Sequence, residues 1–166
     1  MQNLFLRRVG DYIVRQSKIE DLNDVISVNL VSLPEHYTNF FFEELLRESP
    51  DTFLVAEGYD AIVGYIMCRI EYGFSQIKKF GLSRKGHIVS VAVLEKHSAK
   101  GLGSALVEEA LKGMKQRNCS EAYLEVRTSN NIAIKLYENI GFKISSYLPA
   151  YYRDSEDAYL MTFQIN

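Results

Sequence analysis

The chain has 166 residues, 47% of them hydrophobic and 24% charged. That length makes about one domain able to build its own core, and the composition excludes a disordered chain. A net charge of −2, from 19 basic and 21 acidic side chains, argues against nucleic acid as the main partner.

Cys68 and Cys119 are far apart and make no CxxC or metal-ligand spacing, so a reduced protein with no metal requirement is expected. The opening MQNLFLRRVG places a short apolar run ahead of Arg7 and Arg8, the reverse order of a secretory signal. No apolar run approaches the roughly 20 residues that span a bilayer. The expectation is a cytoplasmic protein with no membrane partner. Residues 1–166 read as one continuous domain without repeats or linkers.

Residues 11–15 read as a first strand. Ser17-x-x-Glu20 is a capping-box pattern, after which Leu22, Val25, Ile26 and Leu30 recur at helical spacing until Pro34. A second helix carries Phe41, Phe42, Leu45 and Leu46 and ends near Ser49-Pro50. Residues 53–57 and 62–70 are strand-like and joined by Gly58-Tyr59-Asp60, which is hairpin chemistry. A loop with the basic cluster Lys78, Lys79, Arg84 and Lys85 follows. Residues 88–94 are then a nearly continuous β-branched run, the pattern of a strand buried on both faces.

Residues 101–115 are helical, with Leu102, Leu106 and Ala110 in one row and Val107, Leu111 and Met114 in the next. Residues 122–127 form a strand. Ser129 or Asn130 caps a helix with Ala133, Leu136 and Ile140 on its core face and Gly141 at its end. Residues 144–152 and 158–163 close the chain as two strands around a polar turn. The order β-α-α-β-β-β-α-β-α-β-β gives an α/β fold with a mixed sheet of about seven strands and helices on both faces. Its central strand-helix-strand requires a right-handed parallel crossover.

The passage from His87 to Ser104 leads a buried strand through a polar loop into a helix start. Free N–H groups and the helix dipole make such a start an anion site, and Gly101 and Gly103 let an anion approach the main chain. Lys100 adds a positive charge. Gly-x-Gly by itself is equally consistent with tight helix–strand packing, since it lacks the further residues of the dinucleotide and P-loop fingerprints.

The same stretch resembles the acetyl-CoA motif of the GNAT acetyltransferase superfamily, Arg/Gln-x-x-Gly-x-Gly/Ala. The likeness extends to Leu33-Pro34-Glu35-His36-Tyr37, Gly64-Tyr65-Ile66-Met67, Lys85-Gly86-His87-Ile88-Val89-Ser90-Val91-Ala92-Val93 and Tyr123-Leu124-Glu125-Val126-Arg127. It continues through Ser129-Asn130-Asn131, Leu136-Tyr137-Glu138, Tyr151-Tyr152 and Glu156-Asp157-Ala158-Tyr159-Leu160-Met161. These resemble the archaeal amino-terminal (N-alpha) acetyltransferases, which are similar to the eukaryotic NatA-type catalytic subunit and the bacterial ribosomal-protein alanine acetyltransferase. One position departs: Ser98 stands where the motif has Arg or Gln, and Ala99 follows it.

The resemblance implies a GNAT fold, mostly antiparallel and splayed between the family's fourth and fifth strands. It also implies direct transfer of an acetyl group from acetyl-CoA to a protein α-amine in a ternary complex. The coenzyme would lie on Val91, Ala92, Val93, Ala99, Lys100, Gly101, Leu102, Gly103, Ser104, Asn130 and Tyr137. Within that set, the Val91 N–H would stabilise the oxyanion, Asn130 would contact the pantetheine arm and Tyr137 would serve the leaving sulfur. Ser98 would donate one hydroxyl bond to phosphate.

Glu125 and His87 are the proton-relay residues expected, with Glu35 able to receive the amine proton. The alternative for Glu125 is a pairing with its same-face neighbour Arg127. Glu35, Tyr37, Tyr151 and Tyr152 would flank the substrate, a protein or peptide N-terminus such as a nascent chain at the ribosome. A monomer or weak dimer is expected. The alternatives are acetylation of lysine side chains or small amines, and a non-catalytic CoA-binding subunit.

Overall fold

The structure is a computed structural model and describes residues 4–166, so the first three residues of the opening MQNLFLRRVG stretch lie outside it. Eight strands form a sheet in the order β1-β2-β3-β4-β5-β6-β8-β7. They are β1 (Phe5–Val9), β2 (Tyr12–Gln16), β3 (Leu54–Glu57), β4 (Ile62–Phe74), β5 (Leu82–Val93), β6 (Glu121–Arg127), β7 (Lys143–Leu148) and β8 (Ala158–Gln164). The helices are α1 (Leu22–Ser32), α2 (Asn39–Glu48), α3 (Leu102–Gln116) and α4 (Asn131–Ile140). The crossover through α3 joins parallel strands, as expected: Lys85, Gly86 and His87 pair with Glu121, Ala122 and Tyr123. The register stops at that third pair, where the expected splay begins.

The eighth strand is β1, which the sequence reading missed. It pairs antiparallel with β2 across Gly10-Asp11, with Gly10 at φ +56°. Phe5 and Leu6 are both exposed, so this edge strand shows no alternation that its sequence could reveal. Its Arg7 forms a 2.7 Å ion pair with Glu108 of α3.

Three further boundaries moved for identifiable reasons. The expected Ser17/Glu20 capping box does not form; a 3₁₀ turn at Ile19–Asp21 intervenes, and Asp21 accepts the Lys18 N–H at 2.7 Å. Strand β5 starts at Leu82 rather than 88, so Arg84 and Lys85 belong to the sheet. Lys85 is buried because Nζ donates to the Phe74 carbonyl at 2.6 Å and lies over the Tyr123 ring. Strand β7 ends at Leu148; Ala150 takes φ +49° and gives its N–H to Asp157, so Tyr151 and Tyr152 sit in a loop.

The described chain divides into two compact units. One comprises residues up to Arg69 together with Ile88–Gly113, and the other Ile70–His87 together with Met114–Asn166. In the first, Leu22, Val25 and Val28 of α1 and Phe42, Leu45 and Leu46 of α2 pack with Val55, Tyr65 and Met67. The opposite face of β4 meets α3 closely. A Cβ on Gly64 would stand 3.0 Å from the Ala92 carbonyl and 3.5 Å from Leu106. In the second unit, Tyr137 meets Phe142 edge to face, and Phe142 packs at a tilt on Phe163 beside Gly141.

Candidate active site

The end of β5 is pinned where the Leu94 N–H donates to the Val63 carbonyl at 2.8 Å. A 3₁₀ turn at Glu95–His97 follows. Ala99 and Gly101 both have positive φ, 58° and 83°, with Lys100 between them. Alternation of φ sign along a turn is the backbone pattern of a nest, in which N–H groups can face an anion. The Gly101 carbonyl accepts the Ala105 N–H and opens α3. The amides of Leu102, Gly103 and Ser104 therefore lie in the first turn, where the helix supplies no acceptor. Positive φ disfavours an L-residue by about 1–2 kcal/mol, which Ala99 bears and Gly101 avoids. The Ser98 hydroxyl donates to the Glu95 carbonyl at 2.7 Å inside the turn.

In the same unit, the loop between α1 and α2 carries Glu35 and Tyr37, both half-buried. Tyr37 stacks on Phe41 with ring centroids 5.1 Å apart, and its hydroxyl reaches the Val89 carbonyl at 3.4 Å. Thr38 caps α2 by accepting the Phe41 N–H. The Glu35 carbonyl accepts from Asn29.

In the second unit, His87 Nε2 and Glu125 Oε2 lie 2.7 Å apart. The parallel pairing of His87 with Tyr123 puts both on one face, and Glu125 follows two residues later on that face. The His87 and Tyr123 rings stack at 4.4 Å, inclined by only 2°. Glu71 of β4, which sequence reasoning missed, stands 3.6 Å from His87 Nδ1 and accepts the Tyr123 hydroxyl at 2.7 Å. Burial, then the Glu71 hydrogen bond, holds that hydroxyl well above the ordinary tyrosine range. His87 thus sits between two carboxylates against an aromatic face. Arg127, offered as the alternative partner of Glu125, bonds Asp154 at 2.8 Å and Glu156 at 2.9 Å.

Asn130 caps α4, as one of the two alternatives had it, by accepting the Ala133 N–H at 3.2 Å. That commits its carbonyl oxygen and leaves the NH₂ for other contacts. Tyr137 corrects the expected helix face. It is 8% exposed and is the buried residue of α4, whereas Ala133, Leu136 and Ile140 are half-buried. Burial pushes its hydroxyl up to about 12, so it stays protonated near neutral pH. Tyr151 and Tyr152 meet edge to face, and the Arg127 guanidinium lies 4.0 Å from the centre of the Tyr152 ring. Arg127 and the Ser129 hydroxyl grip Glu156, which anchors the loop.

The sequence profile of the acetyltransferase (GNAT) family matches residues 19–142. The chain belongs to that family. An N-alpha-acetyltransferase of Sulfurisphaera tokodaii is 48% identical over 153 residues, 91% of this chain and 92% of that protein. The N-terminal acetyltransferase A complex catalytic subunit NAA10 of Arabidopsis thaliana is 36% identical over 151 residues, covering 89% and 75%. The crystal structure of Ard1 from Thermoplasma volcanium superposes with a TM-score of 0.80 at 32% identity, covering 94% of this chain and 99% of that one.

As a GNAT enzyme the chain is an acyltransferase, and acetyl-CoA is its acetyl donor. The residues fit that donor: the nest at 99–104 offers main-chain amides with Lys100 beside them, the arrangement a pyrophosphate needs. The structure brings His87 and Glu125 into contact, and it places Glu35 and Tyr37 on one loop and Tyr151 and Tyr152 on another. Glu71 lay hidden because a glutamate in a long strand has no local signature; its partners are 16 and 52 residues away in sequence.

Proposed function

We propose that this chain, acting as one N-acetyltransferase domain, transfers the acetyl group of acetyl-CoA to the α-amino group of protein N-termini. The observation that carries the chemical reading is the 2.7 Å contact between His87 and Glu125. The neutral amine attacks the thioester carbonyl, an N–C bond forms, the C–S bond breaks and coenzyme A leaves as a thiolate. The proton lost by the amine passes to the Glu125–His87 pair, directly or through one water. Before attack, an α-ammonium with a pKa of about 8 becomes the neutral nucleophile at neutral pH for roughly 1.4 kcal/mol, against roughly 4.6 kcal/mol for a lysine. A partly buried carboxylate–imidazole pair is sufficient for the first and poor for the second.

In this reading the amides from Ala99 to Ser104 and Lys100 hold the pyrophosphate, and Val91, Ala92 and Val93 present main-chain groups to the coenzyme. Val91 N–H stabilises the oxyanion. The NH₂ of Asn130 meets the pantetheine arm. Tyr137 donates a hydrogen bond to the leaving sulfur. With its hydroxyl at about 12 and a thiol near 8.5, full proton transfer to sulfur would run uphill. Tyr37, Tyr151 and Tyr152 orient the peptide backbone, and Glu35 meets its first side chain or its amine. Nascent chains at the ribosome are the natural source of such substrates, with the enzyme acting in the cytoplasm as a monomer or weak dimer.

The test is a peptide library varied at the first two positions, incubated with acetyl-CoA and read by mass spectrometry. Acetyl on the α-amine of Ser-, Ala- or Met-starting peptides is the expected result. Acetyl confined to internal lysines, or none at all despite tight acetyl-CoA binding, would overturn it.

A further inference from the structure

One buried polar chain is used by no step above. Asn29, in the last turn of α1, is 1% exposed. Its Nδ2 donates to the Glu35 carbonyl at 3.0 Å and to the Tyr65 hydroxyl at 3.0 Å. Tyr65, fully buried in β4, lies 2.6 Å from the Ser90 hydroxyl in β5. Ser90 is itself 6% exposed and sits between Val89, whose carbonyl receives the Tyr37 hydroxyl, and Val91. All of these residues belong to one compact unit.

The surroundings do not call for polar groups. Val25, Val28, Phe42, Leu45 and Met67 belong to the same apolar cluster as Tyr65, and leucine at 29 with phenylalanine at 65 would fill it without desolvating anything. The ordinary explanation, that Asn29 satisfies orphaned neighbours, covers only part of its bonding. The Glu35 carbonyl belongs to a half-exposed loop where water is an adequate partner. Meanwhile the Asn29 main-chain carbonyl accepts the Leu33 N–H, so one residue ends the helix and grips the loop that follows. The grip is on main chain, so it is indifferent to the side chain at position 35. Burial pushes the Tyr65 hydroxyl up to about 12 against the pull of Ser90 and Asn29, which keeps it a neutral link in the chain.

We propose that Asn29 is a positioning residue for the acceptor peptide: through Tyr65 and Ser90 it fixes the loop at 33–37 against the segment of β5 at 89–91. This rests on the reading of that loop as the peptide-binding element. It divides labour within the loop. Asn29 sets where the loop lies, and the residue at 35 sets which first side chain is preferred.

The experiment is steady-state kinetics of the full chain on one good peptide and on the library, with acetyl-CoA binding measured separately by calorimetry. Asn29→Leu should raise the peptide KM roughly tenfold, the effect of losing its hydrogen bonds to the Glu35 carbonyl and the Tyr65 hydroxyl, with the ranking of first residues and the acetyl-CoA dissociation constant unchanged. Glu35→Val should do the reverse, altering the ranking. Tyr65→Phe removes a single oxygen and keeps the Asn29–Glu35 bond; it should raise the peptide KM about two- to threefold. It also decides the matter should Asn29→Leu fail to fold. Wild-type KM in the variants, or a fall in kcat matched by a proportional loss of acetyl-CoA affinity, would overturn the assignment. Wild-type protein that acetylates no α-amine would instead remove the functional reading on which it stands.

Discussion

The turn at 98–104 and the cluster around His87 are both polar, but different parts of the chain build them. The turn is made of main chain: its geometry comes from positive φ at Ala99 and Gly101 and from the first amides of α3. Even the Ser98 hydroxyl is spent inside the turn, on Glu95. The cluster is made of side chains: Glu71, His87, Tyr123 and Glu125 touch one another from three strands. A site of the first kind tolerates changed side chains and is broken by changed backbone preference. A site of the second kind is broken by replacing a single functional group. That explains how Ser98 and Ala99 can stand where the family motif has other residues while the backbone turn keeps its shape.

The largest effect is expected at Glu125. Glu125→Gln keeps the shape of the pair and removes its charge, so kcat should fall about 10²–10⁴-fold, the worth of a positioned acid–base group. The acetyl-CoA dissociation constant should not change. A fall in both, measured by stopped-flow and calorimetry, would mean that the two regions are not independent.

Next in size is the backbone of the turn. A Cβ at Gly101 has open room, with Val9 Cγ1 at 3.9 Å as its neighbour, so only its φ of +83° resists substitution. Gly101→Val should weaken acetyl-CoA binding about tenfold or more through about 1–2 kcal/mol of strain, leaving kcat at saturation near wild type. Equal binding by the variant would show that the turn does not need this conformation.

A second group of side chains, Arg127 with Asp154 and Glu156, carries a pH signature. Hydrogen bonds from Ser129 and then Arg127 hold Glu156 below the usual carboxylate range, and bonds from the Glu156 N–H and then Arg127 do so for Asp154. Lowered folded values mean that their stabilisation is complete above the unfolded range, about 4, and is lost as pH falls through the lowered values. Arg127→Gln should therefore lower Tm at neutral pH and converge with wild type in strong acid, followed by circular dichroism. A constant difference across the range would remove the ion pairs as its cause.

The smallest effect is at Ser98. Ser98→Arg gives up one bond to Glu95 and adds a cation beside the nest. Acetyl-CoA binding should tighten a few-fold at low salt, with the gain shrinking as salt screens it. An unchanged or weaker dissociation constant would mean that the turn already meets the phosphates without help from this side chain.

What could be read from the sequence was local. Periodicity placed α1 to α4, the β5–turn–α3 passage and the parallel crossover, because helices and buried strands repeat their burial every few residues. It failed at β1, whose exposed Phe5 and Leu6 carry no pattern, and at the start of β5, where Arg84 and Lys85 read as loop. Lys85 belongs in the sheet only because Phe74 and Tyr123 receive its charge, and neither is near it in sequence.

By itself, then, the amino-acid order determined the element types and the glycine-bearing turn before α3, and it named His87 and Glu125 as candidates. Tertiary structure alone decided what stands behind those residues. Glu71 meets His87 and Tyr123, Asn29 meets Tyr65 across 36 positions of sequence, and Tyr137 turns into the core rather than away from it. The physical reason is common to all three. A hydrogen bond or a buried ring is chosen by what the finished packing leaves unsatisfied or unfilled, and that is a property of neighbours in space.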